Sequence, residues 1–244
     1  MKFSKINNIS GWLVFGFALI VYLMTMEPTV SFWDCGEFIS CADKLQVGHS
    51  PGAPLFMLLG RLFAIFAPSP QSVAMYVNAL SAFASAFTIL FLYWSITHFA
   101  KRLATDENGE YSTGNLITIV GAGIVGAIAY TFSDTFWFSA VEGEVYATSS
   151  FFTALVFWCI LKWEESNEVY ADRWLVLIAY LIGLSIGVHL LSLLVIPTIA
   201  LIYYFKRYTP TLGGGLVAYF LGGVVLLLVQ YGVIQYIPIW ASKF

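Results

Sequence analysis

Apolar runs close to twenty residues long recur along this chain, and they are apolar all round rather than along one stripe. At 1.5 Å per residue, about twenty helical residues cross a hydrocarbon core of about 30 Å. Inside that core only helices and closed barrels satisfy their backbone polar groups. Barrel strands would alternate polar and apolar residues, which these runs do not do. The fold class predicted is therefore all-α, a polytopic transmembrane helical bundle. Composition agrees: 59% of the 244 residues are hydrophobic and 10% are charged, whereas a soluble domain is about half apolar and a quarter charged.

Seven spans are read, at about 9–26, 73–99, 115–132, 147–163, 174–188, 190–205 and 214–234. The fifth and sixth are separated at Gly187–His189 because residues 174–205 are too long for one crossing. One membrane domain is expected: 1–26 as a first helix, 27–72 as an outer loop with interfacial helices, and 73–244 as the remaining helices. Within the loop, residues 55–67 are apolar apart from Arg61 and are bracketed by Pro51, Pro54, Pro68 and Pro70. They reach only about 20 Å, so this segment is expected to lie in the interface or re-enter it. The N-terminus has a basic start before its apolar run, as a signal peptide does. No small-x-small cleavage pattern precedes Glu27, so an uncleaved first helix is expected.

Charge asymmetry orients the spans. With the N-terminus in the cytoplasm, the inner loops carry Lys2, Lys5, Lys101, Arg102, Lys162, Arg173, Lys206 and Arg207, and the outer side carries Lys44, Arg61 and Lys243. The outer face then collects Glu27, Asp34, Glu37, Asp43, Asp134, Glu142 and Glu144 from loops far apart in sequence. A net charge of −3 implies no nucleic-acid partner. Cys35 and Cys41 are six positions apart and fall on different faces if 33–46 is a helix, so a disulfide is not expected.

The longest polar interruption, residues 27–55, holds the first candidates. On a helix over 33–46, Asp34, Phe38, Cys41 and Leu45 share one side, which would turn Asp34 toward the membrane domain, with Glu37 one turn away. A carboxylate held in a low-dielectric face needs a partner or a task. Either Asp34 and Glu37 act in catalysis, or they cap and solvate an interfacial helix. His49 lies in a turn ordered by prolines and glycines. It either meets a lipid phosphate or orients Asp34, or it bonds the local backbone. Arg61 either pairs with a phosphate or snorkels to headgroups. Glu142 and Glu144 point the same way only if their segment is extended. Beside Tyr146 they either bind a sugar hydroxyl or divalent ion, or solvate a loop. No set of three or four ligands at metal spacing is visible, so the metal is left unassigned. His189, at the break, is expected on the same outer face.

These residues carry a resemblance. The order Asp34-Cys35-Gly36-Glu37, then His49-Ser50-Pro51-Gly52-Ala53-Pro54-Leu55, resembles the GT-C membrane glycosyltransferases. It is nearest the protein O-mannosyltransferase-like branch of Bacteroidetes-type bacteria and animals. That branch reads roughly Asp-Ser-Gly-Glu and His-Pro-Pro-Gly-x-Pro-Leu, so Cys35 and Ser50 depart from it. Glu144-Val145-Tyr146-Ala147 is similar to its Glu-Val-aromatic-Ala motif, and Gly183-Leu184-Ser185 with His189 is similar to its Gly-Leu-Ser…His stretch.

The resemblance implies an inverting transferase that moves a mannose-like sugar from a polyprenyl-phosphate donor to a protein Ser/Thr hydroxyl on the outer face. Asp34 would be the base, with Glu37 beside it in catalysis. His49, Arg61, Glu142, Glu144, Tyr146 and His189 would meet substrate. The partners expected are a lipid-linked sugar, a protein acceptor and membrane lipid, and the site expected is the outer face of a bacterial cytoplasmic membrane. Relatives are longer, so the chain is expected to be a fragment or a minimal version of such an enzyme. The competing readings are a transporter, which would place ionisable groups at mid-membrane, and a non-catalytic membrane scaffold.

Overall fold

A computed structural model of the chain describes residues 3–104, 112–167 and 169–243. Lys2 and most of the polar loop after the second span, residues 105–111, lie outside the described residues. The described elements are helices: α1 Phe3–Thr25, α2 Cys35–Lys44, α3 Pro54–Ala64, α4 Val73–Leu103, α5 Thr113–Thr131, α6 Asp134–Ala140, α7 Val145–Glu165, α8 Arg173–Ile186, α9 Ile196–Arg207, α10 Leu212–Leu227 and α11 Ile237–Ala241. A 3₁₀ turn, Leu190–Val195, leads into α9, and a π-helical stretch, Leu228–Tyr236, joins α10 to α11. Among the described residues there is no strand.

Among the described residues, six helical segments are long and apolar enough to cross a membrane: Phe3–Thr25, Pro70–Leu103, Thr113–Thr131, Val145–Glu165, Leu190–Arg207 and Leu212–Ala241. The chain is an integral membrane, all-α helical bundle. The fifth expected crossing, α8, has 14 residues, about 21 Å of helix and short of a full hydrocarbon core. The break after it falls where expected, with Gly187 closing α8 and His189 preceding the 3₁₀ turn.

The bundle is built on α4, which packs against α1, α2, α3, α5, α6 and α7. Its buried face is rich in small residues, among them Ala74, Ser81, Ala82, Ala84, Ser85 and Ala86. Small side chains let helix backbones approach closely where lipid removes the hydrophobic drive for association. α1 docks there through Val14, Ala18 and Tyr22, and the Tyr22 hydroxyl donates to the Thr131 carbonyl of α5 at 3.0 Å.

The helices between α1 and α4 are short. α3 is 11 residues long, about 16 Å. It buries Phe56, Met57, Gly60 and Ala64 while Leu58 and Leu62 stay exposed, so its two faces differ as they must for a helix lying along the bundle. α2 crosses α3 closely: a Cβ on Gly60 would lie 2.8 Å from Ala42 Cβ.

Charge segregates to the two ends of α4. At its C-terminal end His98 and Lys101 approach Glu165, Arg102 pairs with Glu164, and Arg207 bonds Asp172 at 2.6 Å. At its N-terminal end Asn78 donates to the carbonyls of Glu27 and Thr29 at 2.7 and 3.0 Å, which ties down the start of the first loop. Asn78 and His98 are twenty residues apart on one helix, about 30 Å, the thickness of one hydrocarbon core.

Candidate active site

Asp34 stands at the N-cap of α2, not within it. The expected helix over 33–46 starts at Cys35, because Trp33 takes a left-handed conformation (φ 59°) that a bulky side chain rarely adopts. It ends at Lys44 because Leu45 is also left-handed (φ 50°), its amide returning to the Ala42 carbonyl and that of Gln46 to Cys41. This corrects the expected wheel. The face that docks carries Cys35, Phe38, Ile39, Cys41 and Ala42, while Asp34 and Leu45 are exposed. The Asp34 side chain makes no capping hydrogen bond.

Glu37 does not act as a solvating acid either. Its carboxylate accepts the His49 amide at 2.5 Å and lies 3.1 Å from His49 Nδ1. Those bonds from the backbone and ring of His49 hold Glu37 below the usual carboxylate range. In return the Glu37 bond raises His49 above the ordinary imidazole value, with Asp34 adding a smaller push in the same direction. Ligand atoms of Asp34, Glu37 and His49 all lie within 4.8 Å of one another. Two motifs at opposite ends of α2 and its following turn thus close into one exposed cluster.

The second loop enters from beneath. Between α6 and α7, residues 141–144 form a short connection whose Gly143 is pressed against Asn78 of α4 and Ile39 of α2. Glu142 and Glu144 are buried at 2% and 3% exposure. Burial pushes both above the usual carboxylate range, and for Glu144 the neighbouring Glu142 charge adds to the rise. Glu144 accepts from the Asp34 amide at 3.2 Å and from Cys35 Sγ at 3.7 Å. Burial together with these two glutamates pushes the Cys35 thiol up strongly. All three cysteines are free and buried.

The third contribution comes from the break after α8. Amides of Leu55 and Phe56, at the start of α3, bond the Gly187 carbonyl at 2.7 and 3.3 Å. This locks the first loop to the turn bearing His189. His189 Nδ1 accepts the Leu191 amide at 3.1 Å, so its neutral ring carries the proton on Nε2. Burial lowers its tendency to charge. Its ring lies 5.3 Å from that of Tyr146.

Two cavities meet at these residues. The larger, about 1150 Å³, runs between α4, α6, α7 and the 3₁₀ turn, and is lined by Trp33, Asp34, Glu142, Glu144 and Tyr146 together with hydroxyl and apolar side chains farther along α4 and α7. The smaller, about 80 Å³, is lined by Asp34, His49, Glu144, Tyr146 and His189. Asp34, Glu144 and Tyr146 border both. Of the expected residues, the structure brings together Asp34, Glu37, His49, Glu142, Glu144, Tyr146 and His189. Arg61 is not among them. It bonds the Asp43 carbonyl and carboxylate at 2.5 and 2.9 Å, pinning α3 to α2 and lining neither cavity.

Three participants went unnoticed in the sequence. Cys35 offers a ligand atom within 4.8 Å of Glu142 and Glu144. Trp33 projects into the large cavity, 85% exposed. Asn78 holds the first loop, and its one available signal was being a lone amide in an apolar span. As a donor set, two carboxylates and a thiol suit a borderline-soft ion such as Zn²⁺, and the exposed Asp34–Glu37–His49 set offers oxygen and imidazole donors.

Comparison with known proteins adds ancestry to this geometry. The sequence model of the family described as "Protein O-mannosyl-transferase TMEM260 N-terminal domain" matches residues 34–212. Protein O-mannosyl-transferase tmem260 of Dictyostelium discoideum is 29% identical over 201 residues, covering 76% of this chain and 22% of that protein. Protein O-mannosyl-transferase TMEM260 of Mus musculus is 29% identical over 154 residues, covering 63% of this chain and 19% of that protein. The chain therefore spans about a fifth of the length of the curated relatives it matches. No solved structure matches it.

Proposed function

Because the chain belongs to the protein O-mannosyl-transferase TMEM260 N-terminal domain family, we propose that it is the membrane part of a glycosyltransferase with Asp34 as its base. The enzyme would transfer a mannose-like sugar from a polyprenyl-phosphate donor to a Ser/Thr hydroxyl of a protein acceptor. The observation that carries this reading is the position of Asp34. It is an acid left free of capping duty that borders both the large groove and the small cavity lined by His49 and His189.

In the proposed step the acceptor oxygen attacks the anomeric carbon as Asp34 takes the hydroxyl proton. The bond from that carbon to the phosphate oxygen breaks, the electron pair leaves with the polyprenyl phosphate, and the configuration inverts. Glu37 holds the His49 turn so that the imidazole faces the base. Glu142 and Glu144, whose carboxyls burial pushes above the usual carboxylate range, are suited to hydrogen-bond sugar hydroxyls. His189 Nε2–H and the Tyr146 hydroxyl are placed to meet the sugar or its phosphate, and Arg61 acts by bracing the loop. A divalent ion on the Cys35–Glu142–Glu144 set would neutralise those acids and polarise a phosphate.

Positive-residue bias puts the N-terminus in the cytoplasm and this site on the opposite face. In a bacterium that face is the outer side of the cytoplasmic membrane. Since the relatives compared are eukaryotic, the same orientation in such a cell would face away from the cytosol. The transporter reading lacks the mid-membrane acids it needs, because the described acids lie at the ends of the bundle. The test is Asp34→Asn in the full-length protein, assayed for transfer from a lipid-linked mannose. Loss of about 10²-fold or more is expected for removal of a general base, and wild-type turnover would remove Asp34 from that role.

A further inference from the structure

Cys35, Glu142 and Glu144 form a donor set with no cation of its own. One ligand atom from each lies within 4.8 Å of the others. Cys35 is fully buried and the two glutamates are nearly so. Acids taken out of water need a counter-charge. The neighbours that bear on these three are one another, Glu27, Asp34 and Ser31, none of them basic. Glu142 Oε2 is buried with no hydrogen-bond partner, whereas buried polar atoms are nearly always satisfied. A cation held among the three would supply what both the charges and that oxygen lack.

Spacing and donor type identify the class of ion. Cys35 Sγ and Glu144 Oε1 are 3.7 Å apart. A tetrahedral zinc ion, with about 2.3 Å to sulfur and about 2.1 Å to oxygen, holds such a pair about 3.6 Å apart. The thiol selects a borderline-soft ion over Mg²⁺ or Ca²⁺, which take oxygen donors. An outer partner is already in place, since the Asp34 amide donates to Glu144 Oε1 at 3.2 Å and orients the carboxylate. Three protein donors leave a fourth position, as in catalytic zinc sites, and Glu142 and Glu144 both line the large groove. The other set, Asp34, Glu37 and His49, is exposed, and its Glu37 is engaged by the amide and ring of His49.

We infer that Cys35, Glu142 and Glu144 bind one Zn²⁺, which ties the first loop to the 141–144 connection and leaves its open position toward the groove. Any use of the ion in transfer rests on the transferase reading. The binding itself does not, so the two can fail separately.

The test uses the full chain purified in detergent, stripped with a chelator and titrated with Zn²⁺, Mg²⁺ and Co²⁺ in the absence of any sugar donor. One zinc per chain should survive desalting, as read by elemental mass spectrometry. Free zinc a hundredfold above its Kd should raise the melting temperature by about 5–10 °C, and Mg²⁺ should not. Co²⁺ should give the near-ultraviolet charge-transfer band of a thiolate ligand, lost in Cys35→Ser and kept in Cys41→Ser and Cys159→Ser. Cys35→Ser should weaken zinc at least about tenfold, since even the outer partner of a ligand is worth that much. Glu142→Gln should melt above wild type without metal and below it with zinc, which answers the question if Cys35→Ser fails to fold. No retained zinc (a hydrogen-bonded set of acids only), equal stabilisation by Mg²⁺, a thiolate band that survives Cys35→Ser, or zinc lost in His49→Gln (an ion on the exposed set) would each overturn the inference. Zinc held at Cys35 by a protein that transfers no mannose would sink the transferase reading and leave this site standing.

Discussion

Replacing Gly143 by alanine should damage both stability and transfer. The added Cβ would lie 2.8 Å from Asn78 Oδ1, 3.1 Å from Ile39 Cγ1 and 3.3 Å from Val77 Cγ1. Reaching ordinary contact at 3.4 Å needs a separation of about 0.6 Å from Asn78. Asn78 cannot yield cheaply, since its amide nitrogen is fixed on Glu27 and Thr29 and its side chain is fully buried. The 141–144 connection must move instead, and with it Glu142 and Glu144. Overpacking of this kind costs about 1–3 kcal/mol, which at about 2–4 °C per kcal/mol lowers the melting temperature by several degrees. A 1 Å misplacement at a reacting centre costs about 10²-fold in rate, so a shift of about half that should cost about tenfold in transfer. Gly121 of α5 is the control, since nothing lies within 4 Å of its added Cβ. Gly121→Ala should be neutral or stabilise by up to about 1 kcal/mol through helix propensity. A Gly143→Ala protein that melts and turns over like wild type would show that the close approach to α4 does not set the loop.

Two further outcomes rest on titration. In Glu37→Gln, His49 loses the partner that raises it, so its protonated form should give way at lower pH than in wild type. An NMR titration of the His49 ring would show this, and an unchanged midpoint would disprove the coupling. For Glu142 and Glu144 the folded pKa lies above the unfolded one. The unfolded chain therefore releases protons first as pH rises, and stability falls from the ordinary glutamate range up to the raised values. Glu142→Gln, which removes the titrating carboxyl, should flatten that fall and raise the melting temperature of the metal-free protein at neutral pH relative to wild type. Parallel melting-temperature profiles for variant and wild type would contradict it.

The membrane bundle was legible in the chain because all-round apolarity over about twenty residues has one solution in lipid. The break at Gly187–His189 and the short helix expected within 55–67 followed from length, and charge asymmetry grouped both acidic loops on one face. Local pattern did not reveal where Asp34 points. A helical wheel assumes that the helix continues through its first residue, and the left-handed Trp33 stops it one position short. Arg61 read equally as a phosphate ligand or a snorkelling side chain, and only the packing of α3 on α2 gave it Asp43. Cys35 looked like a departure from a motif until Glu142 and Glu144 arrived beside it from more than a hundred residues away. Hydrophobicity is a property of each segment and survives in one dimension. The shared cavity of Asp34, His49, Glu144, Tyr146 and His189 depends on three loops converging, and that is decided only when α4 seats the first two and the Gly187 carbonyl ties the third to the start of α3.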